Sequence, residues 1–392
     1  MGGLSAPLSG LVAQQVRDSA GIRIVTYERN AAPKLQWRLE SKPILQIGGT
    51  ADEGPTAFVG IAGVVRLSDG RIAVGNASPS EIRLFSNSGA FQRALGRNGQ
   101  GPGEFNQRLF RLLRSGDSLI GIDNTTRAQV FGPGGDLHRS LQRPHLPTSG
   151  GAPMRVVFGV DGSAIVYQAE TATPQSRAGE TLYVQLYREK SEDQYLPVLR
   201  VPAYQSTGAP VPLNSIVYGP AGRVAADAAR ICIGFSSAFA VTCHDHMGRP
   251  LMSIRRAFSP RAITEDDRRF YRDMLLAGAK GAPPNVTAMV EDVVRRTEFA
   301  SRAPAFGRWM LAQSGDIWVS EFDRSELAVG SPTFRTTKIP LRWSVFSPDG
   351  TWLSDIRLPA HFRPFEMGPD YVIGVSLDED DLERVTLYRI RR

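Results

Sequence analysis

The sequence predicts an all-β fold of repeated four-stranded sheets set side by side around a common centre, and three observations predict it. One short phrase recurs: Phe85–Phe91 reads FSNSGAF, Phe131–Leu137 reads FGPGGDL and Phe346–Trp352 reads FSPDGTW, with His244–Leu251, HDHMGRPL, as a weaker copy. A second phrase, an apolar run broken by a glycine turn, recurs as VVRLSDGRIAV, LLRSGDSLIGI, VVFGVDGSAIV, IVYGPAGRVA, WMLAQSGDIWV and MGPDYVIGV. Its turn glycines are Gly70, Gly116, Gly162, Gly222, Gly315 and Gly368, spaced by 46, 46, 60, 93 and 53 residues. Third, the two phrases keep one distance: their glycines are 19 apart in each of the first two units (70 to 89, 116 to 135).

Each phrase is a hairpin, a strand that stops at a turn of Gly, Pro, Asn, Asp or Ser and returns as a second strand. Two hairpins per 40–50 residues make the blade of a propeller. A single sheet of this kind leaves an apolar face uncovered, so each must pack on its neighbours and the ring must close. Six units fit the chain, giving a six-bladed β-propeller.

Taken in order, Met1–Gln15 is uncharged and mildly apolar, without the basic start of a secretory signal, yet it ends in LVAQQ as such signals do. Residues 1–20 are therefore read as a leader or the remnant of a signal segment, and residues 21–392 as the propeller. Export to the periplasm or the extracellular space is the expectation, with a cytoplasmic location as the alternative. Leu35–Ile47, LQWRLESKPILQI, precedes the first full unit. The last unit, Arg363–Arg392, has room for only three strands, and this N-terminal segment is the strand expected to complete it. Cys232 and Cys243 flank Ser236-Ser237 in ICIGFSSAFAVTC. A hairpin there brings them within disulfide reach, while two buried thiols are the other reading. The 93-residue interval holds an insertion at about 261–301 of two helices between the fourth and fifth blades. The first, Ile263–Ala277, opens on Thr264 with Asp267 three residues on, like a capping box. The second, Asn285–Phe299, follows Pro283-Pro284 and carries an apolar face of Val286, Met289, Val290, Val293 and Val294. The pair is placed on one rim, either filling a groove or lying over the channel as a lid.

These repeats, together with GRNGQGPGEF (Gly96–Phe105), the leader end VRDSAGIRIV, RLSDGRIAV, GDIWV, WSVFSPDGTWL and the closing VTLYRI, resemble a bacterial family of six-bladed propellers related to the NHL-repeat type. The resemblance covers residues 16–392 and implies the fold and an envelope or secreted setting. It implies no particular reaction.

Composition excludes several classes. Hydrophobic residues are 42% and charged residues 22%, an ordinary globular balance. The net charge is +7, but only five basic residues are lysines and no basic run exceeds two, so no nucleic-acid partner is expected. No stretch approaches the roughly 20 apolar residues of a membrane span. The chain is expected to act as a monomer without a cofactor.

Four motifs invite chemistry. GQGPGEF is glycine-rich, yet it lacks the lysine of a phosphate loop, so it is read as a tight crossing between blades with Phe105 plugged between sheets. Cys243-His244-Asp245-His246 has metal-binding residue types but falls on a hairpin turn with no second cluster to join it, so no metal site is assigned. Ser347–Trp352 is similar to the Asp-box of sialidase propellers but is one residue short; it is read as a plain turn with Trp352 buried. Asp378–Asp381, DEDD, lacks the glycine bend of a calcium loop and is read as a solvated turn. No GxSxG, HExxH or CxxC occurs.

What remains is a binding face. Residues placed at the starts of the inner strands are Arg108, Arg111, Arg155, Asn214, Arg308 and Arg363. Arginines converging on one axis favour an anionic small molecule, glycan or peptide. The alternative is a metal-dependent hydrolase or lyase, lactonase-like, with its site in the channel; it needs carboxylates or amides where the sequence supplies apolar or basic residues.

Overall fold

The computed structural model describes residues 14–49, 54–125, 127–141, 153–158, 164–169, 176–191, 194–209, 215–227, 229–325 and 339–392. The chain is a β-propeller: antiparallel sheets follow one another along it, and two helices interrupt them. The first sheet comprises Ile61–Arg66, Ile72–Ala77, Ser80–Phe85 and Phe91–Leu95, each strand paired with the next. The second comprises Leu109–Ser115, Ser118–Asp123, Ala128–Phe131 and Leu137–Leu141. The third has Pro153–Phe158, Ala164–Ala169 and a long pair, Thr181–Ser191 with Gln194–Gln205. Gly222–Ala226, Ile231–Phe235, Phe239–His244 and Pro250–Arg256 form the fourth. The fifth has Trp309–Leu311, Ile317–Ser320, Leu341–Phe346 and Trp352–Leu358. Phe362–Met367, Tyr371–Leu377 and Glu383–Arg391 begin the sixth.

The apolar clusters lie between sheets, as burial of both faces requires. Ala62, Val65 and Ile82 of the first sheet meet Leu109, Leu112 and Phe131 of the second. Ile231 of the fourth meets Val184, Leu186 and Val201 of the third. The fourth and fifth share Val241, Ile254, Trp309 and Phe346, and the fifth and sixth share Trp318, Trp343, Phe362 and Met367. Ile373, Val375 and Val385 of the sixth pack on Ile61, Val64 and Ile72 of the first.

The recurring glycine phrase has a double physical cause. Four hairpins share one hydrogen-bond pattern, in which the glycine N–H donates three residues back: Gly89 to Ser86, Gly135 to Gly132, Gly248 to Asp245 and Gly350 to Ser347. All four glycines have φ between +82° and +87°, which disfavours a side chain. The same glycines touch the neighbouring sheet. A Cβ on Gly89 would meet Leu45 and Ile47 at 3.1 and 3.3 Å, and one on Gly350 would meet Val25 at 2.9 Å. Turn geometry and close approach therefore demand the same residue.

Leu35–Ile47 does not form one continuous strand. Arg38–Leu39 and Leu45–Gly48 each pair antiparallel with Glu383–Arg391. Pro43, which has no N–H, lies in the break between them. Two further differences from the sequence reading stand out. Gln14–Ser19, inside the segment read as a leader, is a strand: it forms a hairpin with Ile22–Tyr27, which runs parallel to Pro250–Arg256 and extends the fourth sheet. The turn between them, Ala20-Gly21, has φ of 50° and 79°, the left-handed pair that a two-residue hairpin needs. And Gly222 is not a turn glycine. It is the first residue of the fourth sheet's leading strand, whose following turn closes through Asp227 N–H to Arg230 O at 3.0 Å. Gly162 lies outside the described residues.

Cys232 and Cys243 are paired across the Ile231–Phe235 and Phe239–His244 hairpin and are disulfide-bonded. The insertion forms α1 (Glu265–Gly278), capped by Thr264 in a full capping box with Asp267, and α2 (Pro284–Arg296). Tyr218, before the fourth sheet's leading strand, anchors it: its ring meets Tyr271, Phe299 and Phe322, and its hydroxyl donates to Asp267 O at 3.1 Å. The helices thus sit at the end of the molecule where leading strands begin. No helix among the described residues is long and apolar enough to cross a membrane.

Candidate functional site

The first strand of each sheet is the one nearest the centre of a propeller, so the side chains at its start decide what the channel mouth offers. Arg108 precedes the second sheet's leading strand. Its guanidinium lies over Gly60, just before the first sheet, and its carbonyl accepts from Asn124 N–H at 2.9 Å. Arg111 lies within that strand, opposite Ile122. Among the described residues its guanidinium has no hydrogen-bond or ion-pair partner. Desolvation alone pulls its pKa below the ordinary arginine value, with no carboxylate to offset it. Its surface is nevertheless only half-buried. The guanidinium is thus enclosed by protein yet keeps contact with solvent.

Arg308 precedes the fifth leading strand and is held by Ser320, whose Oγ accepts its N–H at 2.9 Å. Arg363, in the sixth, lays its guanidinium over Phe365 at 4.6 Å. Arg155 lies in Pro153–Phe158, the third leading strand, with its side chain outside the described residues; Asn214 lies outside them altogether. The corrected register of the fourth sheet brings in a residue the sequence reading missed. Arg223 follows Gly222 in the leading strand, and its Nε donates to Gly307 O at 3.1 Å, tying the fourth sheet to the segment before the fifth. The signal was legible: GRVAA reads as a strand once Gly222 is not taken for a turn.

At the far end of the same strands stands a different arrangement, also missed. Glu366 is buried, and Oε1 accepts from Tyr371 Oη at 2.7 Å, Gln313 Nε2 at 2.8 Å and Arg66 N–H at 3.2 Å. Its Oε2 pairs with Arg114 Nε at 2.7 Å. Arg66 belongs to the first sheet, Arg114 to the second, Gln313 follows the fifth's leading strand, and Glu366 and Tyr371 belong to the sixth. One carboxylate thus gathers four sheets. Burial, reinforced by the Glu366 charge, pushes the Tyr371 phenol well above its ordinary pKa, so it stays a donor.

The other nominated motifs serve the fold. In Gly96–Phe105, Arg127 donates to the carbonyls of Gly99, Gln100 and Glu104, and Phe105 is fully buried between the first two sheets. Asp245 accepts from Met247 N–H and Arg249 N–H, as a turn residue does; His244 is buried, which lowers its pKa, and His246 Nε2 lies 3.0 Å from Asp227 O. Asp349 closes the Ser347–Trp352 turn on Thr351, and Trp352 packs between the fourth and fifth sheets. Asp378 closes its own turn on Asp380 and Leu382. Among the described residues no three His, Cys, Asp or Glu side chains are grouped to hold a metal ion.

Comparison with known proteins gives the same architecture. Residues 53–125 match the DUF5128 family, described as a 6-bladed beta-propeller. A solved member of the DUF4221 family from Bacteroides vulgatus is similar at a TM-score of 0.53 and 11% identity, over 91% of this chain and 99% of that one. A Bacteroides fragilis protein provisionally described as exported is similar at a TM-score of 0.49 and 11% identity, over 94% of this chain and 100% of its own. No curated protein matches the sequence.

Proposed function

We propose that the chain is an exported, six-bladed binding propeller, closed by Leu45–Gly48 against the last blade, that takes an anionic small molecule, glycan or peptide at the face where its leading strands begin. The observation that carries this reading is Arg111, a half-buried guanidinium on a leading strand with no carboxylate beside it among the described residues. Charges drawn out of water are normally paired, so a partly desolvated guanidinium is suited to a ligand that brings the counter-charge. Arg108, Arg155, Arg223, Arg308 and Arg363 stand on or just before leading strands as well. The Glu366 knot occupies the other end of these strands, so the ligand approaches from the arginine face. The Cys232–Cys243 bond supports export, since such bonds persist in oxidising compartments.

Calorimetric titration with glucuronate, citrate and inorganic phosphate, against neutral glucose, tests the reading. At least one anion is expected to bind, more weakly as salt rises, and Arg111→Gln is expected to weaken it by about 10- to 100-fold, the loss of one charged hydrogen bond. Binding of no anion, or affinity unchanged in Arg111→Gln, would refute it.

A further inference from the structure

The neighbour of Arg111 narrows the class of anion. In the second sheet's leading strand, Leu109 is opposite Asp123 and Arg111 is opposite Ile122, so Phe110 faces no partner of its own. It is the extra residue of a β-bulge, a device that re-aims a side chain. The consequence can be counted. Leu109 and Leu112 both pack toward the first sheet although they are three residues apart, which strict alternation forbids. The two residues between them, Phe110 and Arg111, therefore share the opposite side. Leu113 continues on that side, in the cluster that Tyr195 of the third sheet also joins.

The first sheet carries the same irregularity at the same place, with Ile61 opposite Asn76 and Gly63 opposite Gly75. There the shared pair is Ala62-Gly63. Ala62 is 6% exposed, and a Cβ on Gly63 would meet Leu112 Cβ at 2.8 Å. Small residues let that bulge pack shut. In the second sheet the same two positions hold Phe110 and Arg111, and Phe110 is left 50% exposed between buried leucines. In the sixth sheet the bulge residue is again a phenylalanine, Phe365, and there a guanidinium, that of Arg363, lies on its ring. The Phe110 ring has no such contact among the described residues, and neither has the guanidinium beside it.

We infer that Phe110 and Arg111 form one composite subsite for a carboxylate borne directly on a six-membered ring, the ring lying on Phe110 and the carboxylate on Arg111. This rests on the anion-binding reading above and adds the ring. An aromatic face attracts the positive edge of C–H bonds, and a guanidinium takes a carboxylate through two parallel hydrogen bonds. Both a hexuronic sugar and an aromatic acid present this chemistry.

The test is a titration of the full chain with acetate, glucuronate and benzoate, each against wild type, Phe110→Ala, Phe110→Trp and Arg111→Gln. Wild type is expected to bind glucuronate or benzoate at least 10-fold more tightly than acetate; which of the two wins tells the sugar from the aromatic source. Phe110→Ala should erase that advantage and leave acetate unchanged, while Phe110→Trp keeps it. Equal affinity for acetate and both ring acids, or a Phe110→Ala variant that still prefers ring acids, overturns the subsite. If Phe110→Ala fails so but Arg111→Gln still loses binding, only the ring assignment falls. If wild type binds none of the three carboxylates, the subsite falls, and the anion reading then rests on phosphate or citrate alone.

Discussion

Glu366→Gln is expected to cost about 2 kcal/mol of folding stability, because it removes the nearer of the two carboxylates that pair with the largely buried Arg114 guanidinium and leaves only Asp117, at 3.7 Å. The amide also carries two donors into a place where Tyr371 Oη, Gln313 Nε2 and Arg66 N–H all donate. At least one donor must then lose its acceptor, which adds a desolvation penalty. The expected readout in chemical denaturation is a lower midpoint with an unchanged slope. A single Glu366→Gln variant as stable as wild type would mean that the four sheets are not held at this point.

The second large effect is expected at Ile47. It is 3% exposed and packs with Ile61, Val64 and Phe85 of the first sheet and Ile373, Val375, Val385 and Leu387 of the sixth. Ile47→Asp puts a carboxylate into that cluster, where no cation among the cluster's members can pair with it. The cost expected is about 4 kcal/mol or more, the range of buried unpaired charges and large core losses. Because the seam joins the two ends of the chain, partial unfolding should precede global unfolding. Hydrogen exchange should rise first in Leu45–Gly48 and Glu383–Arg391 and least in the second and third sheets. Ile47→Val is the control, with a loss of about 1 kcal/mol.

The contrast between these two sites shows what the sequence could and could not tell. The turns were legible because glycine there is doubly constrained: Gly89 and Gly350 satisfy a left-handed turn and a neighbouring sheet at once, so the phrase recurs. The capping box at Thr264 was legible for a similar reason, since its two partners are three residues apart. Gly222 misled because a glycine after Pro-Ala looks like punctuation, while its real constraint is the Pro202 carbonyl pressed against its α-carbon. That one shift hid Arg223. The Gln14–Tyr27 hairpin was missed because its partner strand, Pro250–Arg256, lies more than 200 residues away and leaves no mark on the local pattern. The Glu366 knot draws on residues from four sheets, and only the fold brings them to one carboxylate. Arg111 was nominated from its strand position. That no partner stands beside it among the described residues appears only in the fold, and that Phe110 shares its side depends on a bulge that periodicity alone does not reveal.

The proposed six-bladed ring, and the arginine face placed on it, depend on the pairing of the N-terminal segment with the last strands. Gln46 and Thr386 are opposite each other across that seam, and facing residues in antiparallel strands fall within disulfide range. Peptide mapping of the oxidised double variant Gln46→Cys with Thr386→Cys is the direct measurement. A cross-link between positions 46 and 386, alongside the native Cys232–Cys243 bond, is the result expected. Two free, alkylatable thiols at those positions in the folded protein would contradict the seam, and with it the placement of the arginine face.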